Sequence, residues 1–243
     1  MSSFETLHGG KNGLVYKVTV EAEDPTQLTT QSTRPGTSPL PSGAVDLVMR
    51  IANPDAILNE TIRVQNEAAA MTLMRQALAD IKPSLVPDVY GWSPASEGRG
   101  WLLMQSMPGV PLVDKFSDLD AEKQRDLVSQ IARVFKLKQT YQLPPSVKGY
   151  GGLNFDSEGN IVVGPTPIAG GGPSDSFAEL YAEYFQTQRT LADTCDVVQG
   201  WSGTEVQGRL DKFAAEGLKP LLDDLQAKLA PRPTLVHGDF GKN

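Results

Sequence analysis

The chain has little of what disulfide frameworks, metal centres and membrane spans are made from. It holds one cysteine, Cys195, so no intramolecular disulfide can form and the thiol is expected to be inert. With only His8 and His237 in addition, a metal site of the Cys/His type is excluded. No stretch approaches the roughly 18 uninterrupted apolar residues of a membrane span. The first residues, MSSFETLHGG, have neither the basic flank nor the apolar run of a secretory signal. Positive charge is in the minority, with 22 Lys and Arg against 29 Asp and Glu and a formal net charge of -7. That balance argues against a duplex nucleic-acid surface and against an anionic membrane partner. The expectation is a cytoplasmic protein with neither kind of partner. Hydrophobic residues, at 40%, suffice for a core, and the length allows one large domain or two small lobes.

What is present changes character along the chain. FETLHGGKNGLVYKVTV, from Phe4 to Val20, predicts two short strands around a glycine turn, with Val15, Val18 and Val20 as β-branched residues. Residues 21–44 are rich in Thr, Ser, Pro and Gly and read as a flexible insertion. AVDLVMRIA, 44–52, predicts a third strand, and the spacing of Ala69, Leu73 and Leu78 predicts a helix from about 56 to 80. LVPDVYGWS and GWLLMQSMPG predict two more strands, the second stopped by Pro108 and Gly109. Beyond them helices dominate. One is capped by Ser117 or Asp118 and runs to about Tyr141, one spans 176–193, and one spans 203–229 before Pro231 and Pro233. A small hairpin around Glu158-Gly159-Asn160 interrupts the helices.

Such an order gives a strand-rich lobe, 1–106, and a mainly helical lobe, 107–243, with a ligand expected in the cleft between them. Candidate chemistry lies in few places. In LVHGDFGKN, 235–243, a carboxylate follows a buried strand and a glycine, a good position for accepting a hydroxyl proton. The plainer reading is that Asp239 caps a turn and His237 is a satisfied, half-buried histidine. HGGKNG could bring backbone N–H groups to phosphates, though it fits neither G-x-x-x-x-G-K-[ST] nor G-x-G-x-x-G, and an ordinary hairpin is the other reading. Arg50 is the one cation in LVMRI, and Glu67 on the following helix could pair with it. AGGGPSD could form an anion nest, with Ser174 as a helix cap, or a plain loop, and the loop is the stronger expectation. Trp92, Trp101 and Trp201 are expected to pack within or between lobes.

Taken in order, the glycine loop, the basic residue on the third strand, the glutamate on the next helix, the two-strand linker and His-x-Asp resemble the protein-kinase-like fold. More narrowly, NEAAAMTLMRQAL, WLLMQSMPGVPL, GGLNFDSEGNIVVGP and LVHGDFGKN are similar to segments of the aminoglycoside phosphotransferase and choline kinase group, in its fungal branch. The resemblance implies a two-lobed α+β protein. Its activity would be ATP-dependent phosphotransfer, with Mg2+ as cofactor and a small-molecule hydroxyl as acceptor. It makes Asp239 the residue that orients the acceptor hydroxyl and takes its proton, and His237 the brace of that loop. It places Gly9, Gly10 and Gly13 over the ATP phosphates, Glu67 as the partner of the basic residue, and Gln105 to Met107 at the adenine hinge. Arg50 stands where the group usually has lysine, and its fork differs in geometry from an ammonium.

The kinase loop carries a metal-binding asparagine five positions after its aspartate. Counted from Asp239, that position falls one past Asn243. The expectation is therefore a fold incomplete at its C-terminus, with the metal ligands beyond Asn243 and little or no phosphotransfer by this chain. The alternative expectation is a non-catalytic nucleotide-binding or scaffold protein, a pseudokinase.

Overall fold

Val, Ile and Leu alternate with polar residues in the first hundred residues, and the stretches they form pair as one antiparallel sheet. The computed structural model describes residues 3–7, 13–22, 34–53, 59–167, 170–195, 199–229 and 232–236. Strands β1 (Ser3–Leu7), β2 (Gly13–Ala22), β3 (Gly43–Ala52), β4 (Val89–Ser93) and β5 (Trp101–Gln105) lie in the order β1-β2-β3-β5-β4. Helix α1 (Glu60–Ala77) joins β3 to the edge strand β4, and the chain then turns back so that β5 fills the place beside β3. Asn59 starts the helix, its side-chain oxygen accepting from the Thr61 N–H at 3.2 Å. Glu60 in the first turn and Arg75 in the last suit the helix dipole.

Two faces of α1 are buried. Val64 and Ala68, one turn apart, pack with Val89, Trp92 and Leu102 of the sheet. Ala69 and Leu73 pack on the other side with Ile161. Ile161 begins β7 (Ile161–Gly164), which pairs with β6 (Gly152–Phe155) in a two-stranded hairpin. Phe155 packs against both clusters and stacks on Trp92 at 5.9 Å between centroids and 19° between planes. The Asn66 side-chain amide donates to the Leu153 carbonyl at 3.1 Å, a second tie from helix to hairpin.

Residues 34–42, expected from sequence to belong to a flexible insertion, are held against the sheet. The Trp92 indole N–H donates to the Pro35 carbonyl at 3.0 Å, and the Arg34 guanidinium lies 5.1 Å from the centre of the Trp92 ring. The Ser38 N–H donates to the Val89 carbonyl at 2.7 Å. Gly36, at φ 76°, makes the close approach possible, because a Cβ there would sit 2.8 Å from Phe155 Cζ. Composition hid this because the segment is anchored by backbone groups and a single ring. The rest of the segment's expected span lies in β2 and β3 or, at 23–33, outside the described residues.

The remaining described chain is mostly helical: α2 (Ala121–Thr140), α3 (Phe177–Thr194), α4 (Glu205–Lys212) and α5 (Leu218–Leu229). The cap of α2 is Asp120, which accepts from the Lys123 N–H at 2.9 Å. Ser117 and Asp118 belong instead to a short 3-10 turn, Phe116–Asp118. Likewise Ser176, not Ser174, caps α3, through a reciprocal box with Glu179. Between α4 and α5 the helix widens into a π turn over Phe213–Gly217, with the Leu218 N–H donating to the Phe213 carbonyl. Pro220 has no N–H to continue the ladder just beyond, and a widened turn accommodates that loss. Leu222 of α5 is buried, and the Ala178 N–H at the start of α3 donates to Gln226 of α5 at 3.3 Å.

Leu73 is fully buried between α1 and the hairpin, whereas Val110 is 66% exposed. Leu73→Ala is expected to cost about 2–5 kcal/mol of unfolding free energy in urea denaturation. Val110→Ala should stay within about 0.5 kcal/mol of the parent.

Candidate functional site

Strand register decides where Arg50 points. Arg50 lies opposite Leu102 across the β3–β5 ladder, and directly opposed residues share a face of the sheet. Leu102 packs on Val64 and Ala68 of α1, so Arg50 faces the same helix. There it meets Glu67, and Arg50 Nη1 donates to Glu67 Oε1. The two side chains are 30% and 25% exposed, so the pair is screened less than a surface ion pair. Among the described residues Glu67 is the one hydrogen-bond partner of the Arg50 side chain.

Gly13 opens β2 opposite Ala52, two residues along β3 from Arg50. Gln105 ends β5 opposite Leu47, three residues along β3 in the other direction, or about 10 Å at the usual strand rise. The Gln105 N–H donates to the Asp88 carbonyl at 2.8 Å and the Ser106 N–H to the Asp46 carbonyl at 3.3 Å. Met107, just past the sheet and 39% exposed, makes no backbone hydrogen bond among the described residues. The structure therefore sets Gly13, Arg50 and Glu67 near one end of the sheet and Gln105 and Met107 at the other. Gly9, Gly10, His237 and Asp239 lie outside the described residues.

A cavity of about 950 Å³ opens beside the Arg50–Glu67 pair. Its walls include Met74 of α1, Val134 and Lys138 of α2, Leu153 of the hairpin and Phe177 of α3. Residues 232–236, which lead in sequence to His237, also line it. Arg63, Glu67, Ala70 and Met74 recur at helical spacing and present a third face of α1 to this space.

Three cationic residues of the cavity were not marked by the sequence reading. Arg63 is 9% exposed and is held by Glu60 one turn earlier, Nε to Oε1 at 3.1 Å. The Arg232 guanidinium donates to the Gln139 carbonyl at 2.6 Å. Lys138 is 6% exposed, and its ammonium lies 4.3 Å from the centre of the Phe135 ring. It has no hydrogen bond or ion pair among the described residues. Burial pushes its pKa below the ordinary lysine value. A ring face is worth about 2 kcal/mol to a desolvated cation, less than the several kcal/mol that removing an ion from water costs. The signal for Lys138 was its spacing: Leu127, Ile131, Val134 and Lys138 fall on one stripe of α2.

The glycine loop before α3 is not an anion site. Gly170, Gly171 and Gly172 all have φ between 71° and 78°. The Glu183 carboxylate already fills the turn, accepting from the Gly172 N–H at 2.7 Å and the Ser174 hydroxyl at 3.2 Å. The plain-loop reading describes it. Of the tryptophans, Trp92 is in the core, and Trp201 lies under the Arg189 guanidinium at 5.3 Å.

Among the described residues no helix is long and apolar enough to cross a membrane. A family model described as "Phosphotransferase enzyme family" (APH) matches residues 40–243, well over half of the chain. No curated protein matches it.

A double-mutant cycle on Arg50→Ala and Glu67→Ala should show a coupling of about 1 kcal/mol in unfolding free energy. Additive losses would mean that the pair is not formed in solution.

Proposed function

The chain belongs to the phosphotransferase enzyme family, whose fold is kinase-like, and on that premise we propose that it transfers the γ-phosphoryl group of ATP to a hydroxyl of a small molecule. The observation that carries this reading is the Arg50–Glu67 pair at the wall of the cavity. A guanidinium has five N–H donors, and one contact to Glu67 leaves others for phosphate oxygens while fixing the side chain's direction. Gly9, Gly10 and Gly13 would cover the phosphates from the β1–β2 turn. Met107, with its backbone groups uncommitted, would meet the adenine edge, and Gln105 would set the hinge by its bonds to Asp88.

Bound ATP would supply the phosphoryl group, its bond to the β–γ bridging oxygen breaking with the electron pair left on ADP. Asp239 would hold the acceptor hydroxyl and take its proton as that oxygen bonds to phosphorus, with His237 bracing the loop. Among the described residues no group of three or more His, Cys, Asp or Glu could hold a metal ion.

One observation favours a second reading, a nucleotide-binding protein without catalysis. An arginine at position 50 is bulkier than lysine and locked to Glu67, and it can hold a nucleotide without placing it for transfer.

Melting with and without Mg·ATP tests both. A nucleotide at 100 times its Kd adds about 2.7 kcal/mol, and the active reading also requires ADP release that depends on a hydroxyl acceptor. Asp239→Asn is expected to lower that release by about 10²–10⁴-fold and to leave the melting rise intact. A melting rise without ADP release supports the second reading, and no rise with no release overturns both.

A further inference from the structure

Asp88, just ahead of β4, is a junction between three parts of the chain. Its backbone is tied twice to Gln105: the Gln105 N–H donates to the Asp88 carbonyl at 2.8 Å, and the Asp88 N–H donates to the Gln105 side-chain oxygen at 3.3 Å. Its carboxylate is tied to two other segments through one oxygen. The Ser38 hydroxyl donates to Oδ1 at 2.9 Å, and Arg75 Nη2 lies 2.9 Å from the same atom. Arg75 is in the last turn of α1, and its other terminal nitrogen donates to the Val86 carbonyl at 3.0 Å. One guanidinium thus grips two points of the segment that enters β4, a fork that a lysine ammonium could not reproduce.

The grip falls where the sheet is irregular. The β4–β5 ladder shifts register between Val89 and Gly91, and a bulge leaves a residue unpaired and lets the strand bend. The ladder alone therefore fixes the start of the linker after Gln105 loosely, and the side chains of Arg75, Ser38 and Asp88 supply what it lacks. Arg75 and Asp88 are 35% and 28% exposed, so salt and water screen the pair only in part.

Helix α1 accordingly reaches the sheet by ion pairs at two points. Glu67 holds Arg50, and Arg75, about 12 Å farther along the helix axis at the usual rise, holds Asp88. The sheet positions they fix, at Arg50 and at Gln105, are separated by about 10 Å along the strands. They are the phosphate end and the base end of the proposed nucleotide site, and one helix sets both.

We propose that Arg75 is a positioning residue for the base of the nucleotide. Through Asp88 it fixes the linker from Gln105 to Met107 against which adenine would lie, as Glu67 fixes Arg50 for the phosphates. The inference rests on the nucleotide-binding reading of the site and gives Arg75 no contact with ATP itself.

Calorimetric titration of the full chain with Mg·ATP and with Mg·tripolyphosphate, which has no base, separates the two ends. Arg75→Met and Asp88→Ala should each weaken ATP about tenfold and leave tripolyphosphate within about twofold of the parent. The double variant should lose no more than either single one, because both break the same pair. Glu67→Ala should instead weaken both ligands alike. Asp88→Ala keeps both main-chain groups that meet Gln105, so it carries the test if Arg75→Met does not melt cooperatively. A parallel loss of ATP and tripolyphosphate in the Arg75 and Asp88 variants marks a merely structural pair and overturns the proposal, as does an unchanged ATP affinity. The two readings fail separately. A parent chain that binds ATP no better than tripolyphosphate overturns the adenine linker and the proposal with it. A parent that prefers ATP, with variants that keep the preference, overturns the proposal alone.

Discussion

Helix α1 is the element on which the rest of the described structure depends. The sheet has α1 against the face that carries Val89, Trp92 and Leu102. The hairpin of β6 and β7 has four-residue strands and could not hold itself together in water. Both are stabilised by one helix with two buried faces, Val64 and Ala68 toward the sheet and Ala69 and Leu73 toward the hairpin. Phe155 closes the arrangement because its ring touches both clusters and stacks on Trp92. Alanines at 68 and 69, both fully buried, let the helix backbone come close to its neighbours on each side.

The candidate site is a consequence of that wedge. A helix pinned on two faces has its remaining faces set in direction, and one of them carries Arg63, Glu67, Ala70 and Met74 into the cavity. Arg50 joins them only because β3 and β5 pair in the register that puts it opposite Leu102. A slip of one residue would turn Arg50 to the far side of the sheet and leave Glu67 without its cation. The same register holds Gln105 and Ser106 in bonds to Asp88 and Asp46, which leaves Met107 as the first residue of the linker whose backbone is free to recognise something else. Stability and site geometry are thus the same packing viewed from two sides.

Much of this was legible in the residues, and the failures have physical causes. The five strands, the α1 helix, the hairpin at Glu158-Gly159-Asn160 and the helices after Ser106 follow from periodicity and turn chemistry. The pairing of Arg50 with Glu67 follows from one cation on an apolar strand and one carboxylate on the next helix. Caps were harder to place. Ser117, Asp118 and Asp120 all have the right side chain, and only the 3-10 turn at Phe116–Asp118 moves the helix start to Asp120. Residues 34–42 looked unanchored because they are held by backbone groups, one glycine and polar side chains, which leave no trace in hydrophobicity. Lys138 was overlooked because a lysine on a helix reads as a solvated charge unless its stripe is counted.

Arg50 and Lys138 answer the same electrostatic problem in opposite ways. Arg50 is partly exposed and neutralised by Glu67, so it can remain charged and rigid whether or not a ligand is present. Lys138 is more deeply buried and, among the described residues, has an aromatic face in place of a carboxylate, and burial holds its pKa below the ordinary lysine value. A deleted charge at 138 would make a better core, since apolar replacements of buried ions are often neutral or stabilising.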